Sequence, residues 1–365
     1  MIRILQAVNI MDRAGLETML MNYYRNIDRN KVQFDFLTHR PDKGAYEDEI
    51  ISMGGRVFHA PRLYPQNYVT YYKYMRQFFK EYAEYKIIHA HIDTMSAFPL
   101  SAAKKNNIPI RISHSHTSKL DFDAKLPIKY LAKLAVPKVA NIYCACGEKA
   151  GEFLFGKRDY KLIYNAIDLE TFEFDKVKRD VKRTELGIKN EFVIGHVGRY
   201  CYIKNQMFLL DIFVEVLKKK PDAKLLLIGK GEDEATLRKK VSELSLDGKV
   251  IFLLDRSDVR ELYQVMDVFV MPSIFEGLPV VGVEAQANGL PCVVSDTISD
   301  EILLTDTIFM MSLKQSAEEW AEKVLSVPKE RNKSSIEQLK CKGYDVEIEA
   351  NKLAKWYEKL IEEVE

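Results

Sequence analysis

The sequence predicts an α/β protein built from two doubly wound parallel-sheet domains. Its 365 residues exceed what one hydrophobic core usually serves, which is about 250–300 residues. Short β-branched runs alternate with amphipathic stretches, a pattern typical of βαβ units around a parallel sheet. A charged segment at 173–191 interrupts this alternation, which then begins again. We therefore expect two domains, each with its own sheet.

The first series of βαβ units occupies residues 1–170. Its predicted strands are IRILQAV, VQFDFLTH, GRVFHA, KIIHAHI, PIRISHSH, ANIYCAC and YKLIYN. The amphipathic stretches that predict helices between them are 16–27, 68–82, 96–106 and 124–138. The initial run MIRILQAVNIMDRAG has no secretory cleavage pattern, so we interpret it as the first strand.

The second series occupies residues 171–345. Its predicted strands are FVIGHVG, AKLLLIG, KVIFLL, DVFVMPS and PCVVSD, each followed by a helical stretch. The final stretch, 346–365, has helical periodicity and could pack back on the first domain. Ligands of such sheets bind outside the carboxyl ends of the strands. Residues that directly follow a strand, facing an interdomain cleft, are therefore the first candidates for a functional site.

Composition excludes several classes of function. The formal net charge of +1, with 47% apolar and 29% charged residues, is typical of a soluble globular protein and predicts no nucleic-acid partner. No apolar run approaches the roughly 20 residues of a membrane-spanning helix. Five cysteines without CxxC spacing predict reduced, mostly buried thiols in a cytoplasmic protein. The sequence contains neither a dinucleotide fingerprint nor a GxxxxGK[ST] motif, so NAD and P-loop chemistry are not supported.

Two carboxylates stand out in the apolar stretch MPSIFEGLPVVGVEAQANGLPCVVSD. Glu276 falls in the loop after a predicted strand, and Glu284 about one turn into the next helix. A buried ionised carboxylate costs several kcal/mol unless it is paired or hydrogen-bonded. Acidic residues at a helix N-terminus would explain Glu276 but not Glu284. The hydroxyl groups of a nucleotide sugar would explain both, at different depths along one ligand.

Two cations follow the strand FVIGHVG. Arg199 lies just beyond the strand, and Lys204 is predicted to open the next helix. Near the positive end of a helix, such a pair makes a diphosphate site. A pair of ordinary surface cations is the alternative.

The segment PSIFEGLPVVGVEAQANGLPCVVSD closely resembles the E-x7-E signature of retaining glycosyltransferases of family 4, the large group 1 family. RAGLETMLMNYYRNID, ACGEKAGEFLFG, LIYNAIDLETF, HVGRYCYIKNQ, LLLIGKGEDE and DVFVMPS resemble its other motifs, in the expected order. The sequence looks most similar to members from bacterial exopolysaccharide and capsule clusters. The resemblance implies the GT-B fold, in which two Rossmann-like domains face each other across a cleft. It also implies an acceptor mainly on the first domain, the donor mainly on the second, and a terminal helix that returns to the first.

The resemblance implies a role for each candidate in the second domain. Arg199 and Lys204 match the basic pair that holds the donor diphosphate and supports the leaving group. Glu276 matches the residue that contacts donor sugar hydroxyls, and Glu284 the one that binds the ribose. The expected donor site is completed by Gly198, Gly277 and Leu278. The loop LLDRSD offers Asp255 and Arg256 as weaker candidates for the wall around the base.

Two first-domain positions also match the family. Gly15 matches a loop that approaches the donor phosphates, where a missing Cβ permits close contact. The family usually has two consecutive glycines there, and this chain has Ala14 before Gly15. His116 matches a histidine near the donor sugar and the reacting centre. His114, two residues earlier on the same side of the strand, is read as a core histidine.

The implied activity is transfer of a hexosyl unit, with retained configuration, from a nucleoside diphosphate sugar to a hydroxyl of a glycan or lipid-linked acceptor. A UDP-sugar is the commonest donor, and neither a metal nor a cofactor is expected. The catalytic candidates are His116, Arg199, Lys204 and Glu276. A nucleotide-sugar epimerase of the same fold is an alternative, as is a catalytically silent partner that only binds a nucleotide sugar.

A lysine stripe suggests how a lipid-linked acceptor could be reached. Lys125, Lys129 and Lys133 recur every four residues. The apolar residues beside them are Leu126, Tyr130 and Leu134. Such a helix can rest on an anionic membrane surface, here the inner face of the membrane. Ordinary amphipathic packing explains the pattern equally well.

Overall fold

A computed structural model describes residues 1–120 and 126–364. The chain forms two compact units. Unit 1 comprises Met1–Ala166 and Asp345–Glu365, and unit 2 comprises Ile167–Tyr344. Both are parallel sheets covered by helices, so the predicted GT-B class of two Rossmann-like α/β domains is confirmed. Within the described ranges, no helix is both long and apolar enough to cross a bilayer.

Unit 1 contains a seven-stranded sheet of order β3-β2-β1-β4-β5-β6-β7. The strands are β1 (Ile2–Ala7), β2 (Val32–Thr38), β3 (Val57–His59), β4 (Ile87–Ala90), β5 (Ile110–Ser115), β6 (Ile142–Ala145) and β7 (Lys161–Leu162). The helices before the chain enters unit 2 are α1 (Gly15–Asn26), α2 (Glu47–Ser52), α3 (Tyr68–Glu81), α4 (Ala97–Lys105), α5 (Leu126–Val139) and α6 (Glu148–Phe155). The strand order reverses between β1 and β4, which makes their carboxyl ends a switch point where ligands bind.

Unit 2 contains a six-stranded sheet of order β10-β9-β8-β11-β12-β13. Its strands are β8 (Val193–Val197), β9 (Lys224–Ile228), β10 (Val250–Leu253), β11 (Val268–Met271), β12 (Cys292–Ser295) and β13 (Ile308–Met311). Its helices are α7 (Lys176–Glu185), α8 (Gln206–Lys219), α9 (Glu234–Glu243), α10 (Val259–Val265), α11 (Val280–Ala287), α12 (Ala317–Ser326) and α13 (Ser335–Cys341). The switch point lies between β8 and β11, the two strands that carry the candidate motifs.

The last helix, α14 (Val346–Glu362), belongs to unit 1. Asp345 caps it by accepting hydrogen bonds from the backbone N–H groups of Glu347 and Ile348. Its apolar face is buried in the same cluster as Ile4 and Phe34 of the sheet. The first unit therefore completes its core with the last residues of the chain.

Candidate active site

The turn after β8 is held in place by close backbone packing. Gly229 has a φ of +140°, and a Cβ on it would come within 2.1 Å of the Gly198 carbonyl oxygen. A Cβ on Gly231 would come within 2.2 Å of the Tyr200 carbonyl oxygen. Only glycine fits at either position. These two glycines, which sequence reasoning left without a role, let the loop after β9 support Gly198 and Arg199.

Lys204 and Glu276 are brought together by two loops that pair with each other. Lys204 ends the short turn Tyr202–Lys204 before α8, so it does not open that helix as expected. The Ile274 backbone N–H donates to the Ile203 carbonyl at 2.8 Å, which ties the loop after β11 to this turn. Lys204 Nζ and Glu276 Oε1 form an ion pair, with the two side chains only 18% and 16% exposed. Each charge is thereby compensated by the other.

Arg199 has a different environment from Lys204. Its guanidinium forms a forked ion pair with Glu232, with N–O distances of 2.9–3.0 Å. The Arg199 side chain is 68% exposed, so solvent screens this pair. Backbone N–H groups and the Arg199 pair together lower the pKa of Glu232. Arg199 is therefore a surface cation that an anionic ligand could take over.

Glu284 lies in α11 and is half-buried. Tyr263 of α10 donates from its hydroxyl to Glu284 Oε2 at 2.8 Å, the one hydrogen bond to this carboxylate within the described chain. Desolvation raises the pKa of Glu284, while Tyr263 and the charge of Arg260 oppose the rise. One oxygen of the carboxylate is thus oriented by Tyr263. Sequence reasoning missed Tyr263 because its ring looks like an ordinary core aromatic.

The weaker base-binding candidates follow β10. Asp255 has a φ of +49° and pairs with Lys230 at 3.2 Å. Arg256 forms a forked pair with Asp258. Among the residues that the structure describes, Asp255 is linked to the turn after β8 only through Lys230, whose carbonyl accepts from the Tyr200 backbone N–H at 3.1 Å. Both stay weak candidates.

In unit 1, Gly15 is the first residue of α1. A Cβ on Gly15 would meet no protein atom within 4 Å, so the fold itself does not require glycine there. Ala14 precedes it in an extended conformation and makes no side-chain cap. Glu17, in the first helical turn, is buried, and desolvation raises its pKa to about 7. Sequence reasoning gave Glu17 no role.

His116 follows β5 and belongs to a cluster of four histidines. Its Nε2 lies 3.0 Å from His91 Nδ1, and its backbone N–H donates to Asp93 Oδ1 at 2.7 Å. His114 is a fully buried core residue, yet neither of its ring nitrogens has a hydrogen-bond partner among the described residues. His89 and His91 complete the cluster. The HAH of β4 repeats the spacing of HSH in β5, a signal that sequence reasoning did not use.

Two cavities are found among the described residues, one in each unit. In unit 1 a cavity of about 490 Å³ opens at the carboxyl ends of the strands. Its charged lining residues are Arg40, Arg62, Asp93, Lys119 and Lys129. In unit 2 a larger cavity of about 730 Å³ lies beside the residues that precede β8 and β11, such as Phe192 and Asp267. That is the opposite end of the strands from Lys204 and Glu276, so we favour the carboxyl-end residues as the site.

The predicted lysine stripe on α5 has a different arrangement. Lys125 lies outside the described residues. Lys133 Nζ lies 3.9 Å from the centre of the Phe153 ring, and so is turned onto the protein. The large apolar residues Tyr130, Leu131 and Leu134 are exposed, at 60%, 68% and 61%, as are Pro127 and Lys138. The outward face of this helix is therefore mostly apolar, with Lys138 near its C-terminal end.

Similarity to known proteins agrees with this architecture. The model for Glycosyltransferase Family 4 matches residues 13–171, and that for Glycosyl transferases group 1 matches residues 178–344. A putative glycosyltransferase EpsF of Bacillus subtilis is 37% identical over 97% of this chain and 96% of its own. The Staphylococcus aureus capsular polysaccharide biosynthesis glycosyltransferase CapH is 25% identical over 80% of this chain and 81% of its own.

A crystal structure of Anabaena Alr3699/HepE in complex with UDP and glucose has the same fold. Its TM-score is 0.82 at 18% identity, covering 98% of this chain and 100% of that one. The two sheets, the two family models and the EpsF similarity span nearly all residues. This chain therefore belongs to glycosyltransferase family 4, the group 1 glycosyltransferases of GT-B fold.

Proposed function

We propose that this glycosyltransferase moves a hexosyl unit from a UDP-sugar to a hydroxyl of a glycan or lipid-linked acceptor, with retained configuration, in cell-surface polysaccharide synthesis. The observation that carries the proposal is the Lys204–Glu276 ion pair at the carboxyl ends of β8 and β11. A cation next to a carboxylate that can accept hydrogen bonds from hydroxyl groups suits a ligand with a diphosphate next to a sugar. Glu284, whose Oε2 is oriented by Tyr263, would accept a hydrogen bond from a ribose hydroxyl.

Donor binding would replace two ion pairs within the protein by ion pairs with the diphosphate, so no buried charge would be left without a partner. The diphosphate takes Lys204 from Glu276 and Arg199 from Glu232, close to the N-terminus of α8. Glu276 is then free to accept hydrogen bonds from sugar hydroxyls. Backbone N–H groups of Gly277 and Leu278 face the same ligand, and Gly198 and Gly15 leave room near the phosphates. UDP is favoured because the HepE structure of the same fold holds UDP and glucose.

The chemistry is a front-face substitution. The acceptor oxygen forms a bond to the anomeric carbon while the bond from that carbon to the phosphate oxygen breaks. The electron pair of the broken bond goes to the departing diphosphate, which also takes the acceptor's proton. Because the acceptor attacks from the face that the diphosphate leaves, the configuration is retained. Arg199, Lys204 and the α8 N-terminus stabilise the leaving charge without a metal. His116 contacts the donor sugar near the reacting centre.

The outward face of α5 fits a peripheral contact with the inner face of the membrane, where a lipid-linked acceptor would be found. Tyr130, Leu131 and Leu134 present apolar and aromatic groups on one side of the helix. We expect the protein to sediment with lipid vesicles, and the Leu131→Ser/Leu134→Ser variant to stay in solution. Equal sedimentation of both proteins would overturn the membrane contact and leave the transferase proposal intact.

Incubation with UDP-, GDP-, ADP- and dTDP-sugars tests the central proposal. We expect release of UDP from one UDP-sugar and a glycosylated product whose anomeric proton has the donor's configuration by NMR. The Lys204→Ala variant should lose this activity, whereas Lys218→Ala, a surface lysine later in α8, should keep it. A product with inverted configuration would overturn the retaining mechanism. An epimerised donor without transfer would favour the epimerase, and binding without turnover the silent partner.

A further inference from the structure

The four histidines of unit 1 form a column on one face of its sheet. His89 and His91 come from β4 and the residue that follows it, and His114 and His116 from β5 in the same way. Ring centroids lie 4.2 Å apart for His89 and His91, and 4.1 Å apart for His114 and His116. Burial lowers the pKa of all four imidazoles. The column therefore consists of neutral rings at physiological pH.

A chain of hydrogen bonds determines which ring nitrogen carries the proton in two of these histidines. Gln6 Oε1 lies 2.8 Å from His91 Nε2. With the amide oxygen of Gln6 oriented towards His91, this oxygen accepts, so His91 carries its proton on Nε2 and has a bare Nδ1. The reverse orientation of the amide would place the protons of both rings on Nδ1. That Nδ1 lies 3.0 Å from His116 Nε2, which must then donate. His116 consequently carries its proton on Nε2 and has a bare Nδ1 of its own.

A metal ion is a weaker explanation of the column. Ring nitrogens of His89, His91 and His114 do lie within 4.8 Å of one another. Both nitrogens of His91 are already engaged, however. The His89 and His114 planes differ by only 18°, so their lone pairs run side by side. A metal ion needs lone pairs that converge on a point about 2.0–2.1 Å from each nitrogen.

We propose that Gln6 and His91 are positioning residues that fix His116 in the Nε2–H tautomer, so that its bare Nδ1 accepts a hydrogen bond from a donor-sugar hydroxyl. The contact with the sugar rests on the proposed function. The tautomer itself follows from the protein alone. In this state His116 orients the sugar and does not protonate the leaving group.

Other titratable groups face the column from neighbouring elements. Tyr357 of α14 lies with its hydroxyl 2.6 Å from His89 Nδ1. Burial raises the pKa of Tyr357, the side chain of Gln6 lowers it, and Cys144 of β6 raises it. Asp93 accepts the backbone N–H of His116. The pKa of His91 is lowered by burial first and by the neighbouring His89 and His116 next. The variants that test the hydrogen-bonded series Gln6–His91–His116 therefore change Gln6, which has no titratable group.

The direct test is the ring ¹⁵N–¹H spectrum of the full chain labelled at histidine, with His116 assigned through His116→Gln. We expect Nε2–H tautomers for His91 and His116 across neutral pH. An Nδ1–H tautomer or a protonated ring at His116 would overturn the proposal. Added Zn²⁺ should leave the spectrum unchanged, and a stoichiometric zinc shift would show that the column is a metal site instead. This measurement needs no substrate, so it stands apart from the proposed activity.

Two substitutions examine this hydrogen-bonded series itself. In Gln6→Met the acceptor is gone, and we expect His116 to become a tautomer mixture. In Gln6→Glu the acceptor remains, but its charge raises the pKa of His91. Once His91 is protonated, its Nδ1 cannot accept a hydrogen bond from His116. We therefore expect His116 to change from the Nε2–H to the Nδ1–H tautomer as pH falls. Gln33→Met, which removes another buried amide from the same sheet, should change neither ring.

Turnover provides a second readout. With UDP-glucose hydrolysis as the assay, we expect Gln6→Met to lower kcat about tenfold and KM much less. Gln6→Glu should recover kcat at high pH and lose it as pH falls, whereas the native enzyme should not. If Gln6→Met fails to fold, the native spectrum and the pH profile of Gln6→Glu still show whether Gln6 and His91 fix the tautomer of His116. Identical tautomers in all folded variants would mean that Gln6 is only structural.

Discussion

Lys204 and Glu276 neutralise each other although they belong to loops that follow different strands. Seventy-odd residues of chain separate them, and the backbone bond between Ile274 and Ile203 brings their loops together. In the proposed mechanism, where Lys204 binds the donor phosphates, the neighbouring carboxylate of Glu276 has two effects. It holds the lysine in place before the donor arrives, and it becomes free for hydroxyl groups when the donor arrives.

Removal of Lys204 should therefore affect both stability and activity. In Lys204→Met, Glu276 has no counter-charge, and we expect a loss of about 1–3 kcal/mol in unfolding free energy. Loss of one stabilising donor should lower kcat about 10²–10³-fold. The double variant Lys204→Met/Glu276→Gln should recover most of the stability and none of the activity. Urea unfolding and UDP release measure the two quantities. Recovery of activity in the double variant would contradict the assigned roles.

Tyr263→Phe should weaken nucleotide binding by changing Glu284. The Tyr263 hydroxyl lowers the pKa of Glu284, so its removal raises that pKa further. A hydrogen bond to a charged group contributes about 1.5–3 kcal/mol. We therefore expect UDP affinity to fall at least several-fold, and the loss of affinity on acidification to begin at a higher pH. Calorimetric titration of UDP at several pH values checks this. Tyr23→Phe, a buried tyrosine of unit 1, should leave UDP binding unchanged.

Glu17 should make the stability of the protein depend on pH. Desolvation raises its folded-state pKa from 4.5 to about 7, so the folded protein holds a proton that the unfolded chain releases. Stability from this group is complete below about pH 4.5, falls as pH rises to about 7, and is flat above. The fall amounts to about 3 kcal/mol. Glu17→Gln should remove this slope in unfolding experiments from pH 5 to 8. Glu148→Gln, at the exposed start of α6, should retain it.

Gly15→Ala should separate stability from function. A Cβ there has open space, and alanine favours a helix over glycine by about 0.5–1 kcal/mol, so the variant should be slightly more stable. If the donor phosphates approach this position, turnover should nevertheless fall. Gly156→Ala makes the opposite control, because its φ of +63° penalises alanine while turnover should persist. Unchanged turnover in Gly15→Ala would remove Gly15 from the donor site.

The alternation of strands and helices was sufficient to predict the fold class, because parallel sheets impose that pattern on any sequence. The spacing of Glu276 and Glu284 likewise singled out one loop and helix. The partners of these residues were not predictable. Glu232 faces Arg199, and Tyr263 faces Glu284, only because distant segments pack together. The histidine column escaped notice for the same reason, since adjacency of β4 and β5 is a property of the sheet.

The discontinuity of unit 1 has a consequence for biosynthesis. The ribosome releases Ile4 and Phe34 early, yet the helix that covers them, with Tyr357 on its buried face, is translated after the whole of unit 2. At about 5–20 residues per second, translation of unit 2 alone takes on the order of ten seconds or more. Unit 2 can fold during that interval, whereas unit 1 waits with an apolar sheet face uncovered. We therefore expect the nascent chain to bind chaperones through this apolar face, and docking of α14 to complete the folding of unit 1.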